Sequence, residues 1–181
     1  MKSNQSFGRR RIVVLALAGL SLVLSPVGRA HADDGKVGTD KDGIDKKVLT
    51  FTARTADFGV GLPKCQGAIC IVPFNDFAIA DGDLSGSSIG SGSFVQTSST
   101  KGYAIRLGYF TGTLTGCPGG GTAMGVTVTR IDATRGNSGT VKFLEGSGTG
   151  GLTGIRGSFT FTADPAPGSP IVAKGSADCR G

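Results

Sequence analysis

Glycine limits what this chain can become: 32 of its 181 residues are glycine, scattered from the first turn-like stretches to the last residue. Each would cost roughly 1 kcal/mol relative to alanine inside a helix. No stretch keeps a three-to-four residue apolar period over ten positions. What recurs is alternation. In Leu49-Thr50-Phe51-Thr52-Ala53-Arg54 the apolar side chains fall on one face and the polar ones on the other, the period of a half-buried strand. The same pattern returns at Ser93 to Thr97, Tyr103 to Leu114, Met124 to Ile131, Thr140 to Leu144, Gly151 to Ala163 and Ile171 to Ala173, with abundant threonine and valine. Ile69 to Ile79 is also apolar, but Pro73 and Asn75-Asp76 interrupt it and point to a bulge or turn there. Asp81 to Gly92 reads as a Gly/Ser/Asp-rich connection. About eight short antiparallel strands are predicted. Such a sheet must close on itself, pair its edges or stack on a second sheet. Glycines inside the strands suit an all-β, eight-stranded antiparallel, calycin-like barrel, whose tight wall needs positions without a side chain.

The first 32 residues stand apart. Lys2 and Arg9-Arg10-Arg11 precede a thirteen-residue apolar run, Ile12 to Leu24, which is too short for a bilayer span of ~20 residues. Ala30-His31-Ala32 has the form of a signal-peptidase site. The expectation is a secretory signal over 1–32, a flexible, charged arm over 33–47 and a barrel domain over 48–181, in a secreted, extracellular protein. Cleavage would remove the single histidine, His31, and would lower the formal charge from +6 to +1. A near-neutral domain gives no electrostatic case for nucleic acid. After cleavage, no remaining run is long and apolar enough to anchor the chain in a membrane.

Four cysteines, Cys65, Cys70, Cys117 and Cys179, suit two disulfides in an exported chain. Of the three pairings, Cys65–Cys70 with Cys117–Cys179 is favoured: the first pins a short loop between strands, and the second ties the C-terminus to the body. A four-thiolate zinc site is the minor alternative. Asp81-Gly82-Asp83-Leu84-Ser85-Gly86 has the opening spacing of a calcium loop, but Gly92 stands where its closing glutamate belongs. No metal or other cofactor is expected. Without histidine there is no imidazole base for a serine nucleophile, and no catalytic residue can be assigned.

Candidate sites follow from the barrel. Phe51, Phe74, Phe77, Phe94, Tyr103, Tyr109, Phe110, Phe143, Phe159 and Phe161 are the bulky side chains that could line or fill its interior. Arg54, Asp76, Arg106, Arg130, Asp132, Glu145 and Arg156 are the ionisable groups beside the strands. An inward arginine next to a carboxylate would orient a carbonyl or phenol by fixed hydrogen bonds. Arg156 is singled out for its closely spaced glycine neighbours. A cavity of at least ~300 Å³ would favour small-ligand work, a filled interior a structural role, and an exposed apolar stripe on the wall self-association.

The most distinctive segment runs from Gly146 to Phe161, GSGTGGLTGIRGSFTF, with a weaker copy at Tyr109 to Gly116. Leu152, Ile155, Phe159 and Phe161 supply core residues, and Gly148, Gly150, Gly154 and Gly157 let backbone pass closely. No Gly-Lys-Ser/Thr follows to make it a phosphate cradle. Gly148-Thr149-Gly150 and Arg156-Gly157-Ser158-Phe159 resemble the late-chain pattern of the allene oxide cyclase and dirigent superfamily, including its bacterial secreted barrels. The resemblance implies an eight-stranded barrel, often a homotrimer, whose mouth takes a small apolar or aromatic ligand. It also implies, as an alternative to simple binding, isomerase or radical-coupling guidance. A third reading is an extracellular structural or protein-interaction domain.

Overall fold

In the computed structural model, residues 47–166 and 168–180 are described. The expected leader, and the expected arm apart from Lys47, lie outside the described residues. Ten strands follow one another: β1 (Leu49–Val60), β2 (Lys64–Gln66), β3 (Ile69–Gly82), β4 (Leu84–Gln96), β5 (Lys101–Leu114), β6 (Gly121–Asp132), β7 (Asn137–Phe143), β8 (Thr149–Gly150), β9 (Ile155–Ala163) and β10 (Ile171–Cys179). Every pairing is antiparallel. The order β1-β10-β9-β7-β6-β5-β4-β3 closes through a further β1–β3 pairing, so eight strands form a barrel. The two-residue β8 pairs with β6, and β2 with the start of β3. Closure leaves the eight wall strands without a free edge along their shared lengths.

Two expectations about local structure are corrected. Ile69 to Ile79 is one uninterrupted strand; the bulge falls on its partner β1, between Thr55 and Asp57. Asp81 to Gly92 is not a connection either. β3 runs to Gly82 and β4 begins at Leu84, so only Asp83 lies between them. Serine and glycine alternate there because β4 is the thin part of the wall. Asp83, the third residue of the stretch with calcium-loop spacing that starts at Asp81, accepts at Oδ2 a hydrogen bond from the Thr50 amide at 2.8 Å and fastens the turn to β1. That bond, with a weaker one from Thr115, holds the carboxyl below its ordinary value against the opposing effect of burial.

One end of the barrel is plugged. Leu49, Leu84, Leu114, Leu152, Ile155 and Phe159 are almost fully buried there, and Phe159 takes Phe51 and Phe143 edge-on at 5.0 and 6.3 Å between ring centroids. The glycine-rich segment builds the plug. After β7 the chain turns back, with the Ser147 hydroxyl donating to the Leu144 carbonyl (2.6 Å) and the Met124 amide donating to Ser147 Oγ (3.0 Å). The loop then drops Leu152 into the barrel end before β9 begins. Gly154 has φ +71°, and a Cβ there would collide with the Arg180 carbonyl, so this crossing requires glycine. The disulfides are Cys65–Cys70, directly across the β2–β3 hairpin, and Cys117–Cys179, which ties the turn after β5 to the end of β10 beside the plug.

Candidate functional site: a polar pair inside the barrel

Alternation decides which side chains enter the barrel. On β1, Phe51, Ala53 and Thr55 face in; on β3, Phe74, Asp76, Ala78 and Ala80; on β5, Ala104, Arg106, Gly108 and Phe110; on β6, Gly125, Thr127 and Thr129. These surround a cavity of about 230 Å³, with Phe143, Phe161, Ala173 and Ile171 on the far wall. It starts above the aromatic plug and runs to Thr55, Thr129, Asn137 and Ala163 at the other end, where Thr55 is exposed.

Apart from Thr55, Thr127, Thr129 and Asn137, the lining is apolar except for one cluster. Arg106 enters from β5 and lies across β4 toward Asp76 on β3. Its Nε donates to both carboxylate oxygens at 2.8 Å, and Nη2 lies 2.7 Å from Oδ1 and 2.8 Å from the Ser88 hydroxyl oxygen. The two charged side chains keep only 16% and 13% of their surface exposed. Gly90 and Gly108 make the arrangement fit. They stand opposite one another in register, with Asp76 next in the same row, and a Cβ on either would collide with the guanidinium. Three hydrogen bonds on one edge of a planar cation fix its orientation, as a lysine could not. Among the described residues Nη1 has no hydrogen-bond partner. No side-chain nitrogen or oxygen among the described residues is both sealed from solvent and unpaired, so Nη1 is not sealed off.

Of the ionisable groups picked out in the sequence, the structure brings Arg106 and Asp76 together inside the barrel. The others are corrected. Arg54 and Arg130 have the opposite parity to their inward neighbours and are exposed on the outer wall; Arg130 borders a shallow external depression with Tyr103 and Ser138. Glu145 is exposed in the turn after β7. Arg156 also faces out, where its Nε meets Asp178 at 2.9 Å, both side chains being more than two-fifths exposed. Asp132 is buried but away from the cavity. Its Oδ1 accepts from the Thr134 hydroxyl (2.7 Å) and from the Thr134 and Arg135 amides, so it caps the β6–β7 turn. Those bonds, the hydroxyl first, hold its carboxyl below the ordinary value.

The aromatics divide as well. Phe51, Phe74, Phe110, Phe143 and Phe161 line the cavity, and Phe159 packs beneath it. Phe77, Tyr103 and Tyr109 have outward parity on β3 and β5, and the two tyrosines are about half exposed. Phe94 lies at the far end of β4, its ring against Gly102. Ser88 was not foreseen. It lies among several serines of β4, and only its parity with Leu84 and Phe94 sets it apart.

The fold and site define a class: a closed eight-stranded barrel whose buried aromatic cluster is consistent with a ligand-binding cavity carrying one polar pair. No family model matches the chain, and no curated protein matches it. Among solved structures it is similar in fold to a protein of unknown function from the DUF3224 family of Shewanella oneidensis MR-1. The TM-score is 0.56 at 16% identity, over 75% of this chain and 99% of that one.

Proposed function

We propose that this protein binds a compact apolar or aromatic molecule inside the barrel. The observation that carries the reading is the unfilled interior: six phenylalanines surround or underlie the cavity without closing it, and an oriented Arg106–Asp76–Ser88 cluster stands in its wall. The volume of about 230 Å³ is smaller than the ~300–1,000 Å³ of pockets that take drug-sized ligands. It exceeds the roughly 150 Å³ apolar cavity that admits benzene, so the ligand is one or two rings in size. The leader-like N-terminus and the two disulfides support an extracellular setting. The likeness of the Gly146–Phe161 segment to allene oxide cyclase and dirigent barrels supports the same cavity acting as a guide for isomerisation or coupling. Such chemistry relies on shape and a few oriented dipoles more than on a strong acid–base pair.

The test is extraction of the exported protein and of an Ala78→Leu variant, which narrows the cavity, followed by mass spectrometry of the extracts. A small molecule retained by the wild type and lost from the variant is expected. Equal retention by both proteins would contradict internal binding.

A second reading rests on a separate observation. The outer wall of β3 to β6 carries Ile71, Ile89, Tyr103, Ile105, Leu107 and Val128, all 45–60% exposed. No charged side chain faces out between Ile71 and Ile79 on β3, along β4, or between Tyr103 and Thr111 on β5. At ~4.8 Å between strands and ~3.4 Å per residue, this face measures roughly 500 Å² in plan. Its side-chain relief brings the accessible area toward the ~800 Å² that each partner gives to a stable complex. A closed barrel offers no edge for strand addition, so a second copy of the chain packs here face to face, as a homo-oligomer, for which the superfamily resemblance suggests a trimer.

A further inference from the structure

Resting on the internal-binding reading, the geometry points to an uncharged carbonyl compound as the ligand, its oxygen held by Arg106 Nη1. Nε and Nη2 are committed to Asp76 and Ser88, whereas Nη1 keeps both its protons beside Gly108, a glycine of the cavity wall. Ser88 accepts from Nη2 through its oxygen, which leaves its own O–H to donate into the same space. The polar spot therefore offers donors to whatever enters, and what completes it is an acceptor oxygen.

Charge decides between a neutral and an anionic acceptor. Arg106 is already neutralised by Asp76 at hydrogen-bond distance, so a carboxylate would gain no net attraction. It would also surrender its hydration among Phe51, Phe74, Phe110 and Phe161. A ketone, aldehyde or ester loses far less water and gains a hydrogen bond from a cation held rigid by three others. A purely hydrocarbon ligand would fill the apolar part and leave Nη1 without a partner. Thr127 and Thr129 also line the wall, but their hydroxyls rotate and are not oriented by an ion pair.

Three probes of one shape separate these cases: acetophenone, its hydrocarbon counterpart α-methylstyrene, and benzoate. Binding of each to the disulfide-intact protein is measured by calorimetry or ligand-observed NMR. Acetophenone is expected to bind about tenfold more tightly than α-methylstyrene, with benzoate the weakest. In the double variant Arg106→Leu/Asp76→Leu, which leaves no uncompensated charge, the preference for acetophenone should vanish while α-methylstyrene still binds. The double variant keeps α-methylstyrene as its own control for an intact cavity. If acetophenone and α-methylstyrene bind the wild type equally, or benzoate binds best, the carbonyl assignment is overturned and the internal-binding reading stands. If none of the three binds the wild type, the internal-binding reading falls, and the carbonyl assignment falls with it.

Discussion

Two halves of the barrel wall obey opposite rules. One row of residues in register around the outside reads Thr50, Lys174, Thr160 and Thr140 on β1, β10, β9 and β7, and continues as Val128 and Ile105 on β6 and β5. On the β7–β9–β10–β1 side the ordinary rule holds: Phe161, Ala173 and Phe51 face in, and threonine and lysine face water. On the β3–β6 side it is partly inverted. The charged Asp76 and Arg106 face in with Ser88, while Ile89, Ile105 and Leu107 face out. A wall under selection for stability alone has no use for either departure. The first half is scaffold. The second carries the Arg106–Asp76–Ser88 cluster on its inner face and an exposed apolar patch on its outer one, and thin, glycine-rich β4 leaves room for the guanidinium.

The comparison predicts how substitutions should divide. The largest effect belongs to the scaffold. Phe159→Ala removes the ring on which Phe51 and Phe143 pack and should lower stability by about 3–5 kcal/mol, read from chemical denaturation. A loss under ~1 kcal/mol would place the weight of the fold elsewhere. Next comes Asp76→Leu, which strands the Arg106 charge in an apolar cavity. A loss of about 2–4 kcal/mol is expected, with most of it recovered in Arg106→Leu/Asp76→Leu. A double variant no better than the single one would mean that the pair braces the barrel.

Acid should act through two turns. The carboxyls of Asp83 and Asp132 are held below their ordinary value of 3.8 by hydrogen bonds that exist only in the folded chain. Their contribution is complete above that value and is lost as pH falls through the lower, folded-state values, because the unfolded chain takes up these protons first. Melting temperature should therefore hold level down to about pH 5 and decline below about pH 4. Asp83→Asn and Asp132→Asn should each flatten that decline. The smallest change in monomer stability, within ~0.5 kcal/mol, is expected for Ile105→Lys, since this side chain is already 60% exposed. Sedimentation should nevertheless show it breaking the homo-oligomer proposed for the wild type. A wild-type monomer at all concentrations would remove the outer face from the account.

Much of this architecture can be read from the chain because period two and glycine content are local properties. β1 and β9 bury one parity and expose the other, so Leu49, Phe51, Ile155, Phe159 and Phe161 are legible as core. The inverted half is not. In Tyr103-Ala104-Ile105-Arg106-Leu107-Gly108-Tyr109-Phe110 both faces are apolar, and nothing local says that Arg106 points inward while Leu107 points out. Only the ring of registers settles it. The same blindness turned serine-rich β4 into an apparent loop and let Arg54, Arg130, Glu145 and Arg156 stand level with Arg106. The glycines beside Arg156 serve the plug and not a pocket, whereas Gly90, which receives the Arg106 guanidinium, is sixteen residues away from it in sequence.

The most direct measurement is a crystal structure of the disulfide-intact protein grown with acetophenone. The account predicts one molecule inside the barrel, its ring among Phe51, Phe74 and Phe161 and its oxygen about 3 Å from Arg106 Nη1. An empty interior, or acetophenone bound only on the outer wall, would contradict it.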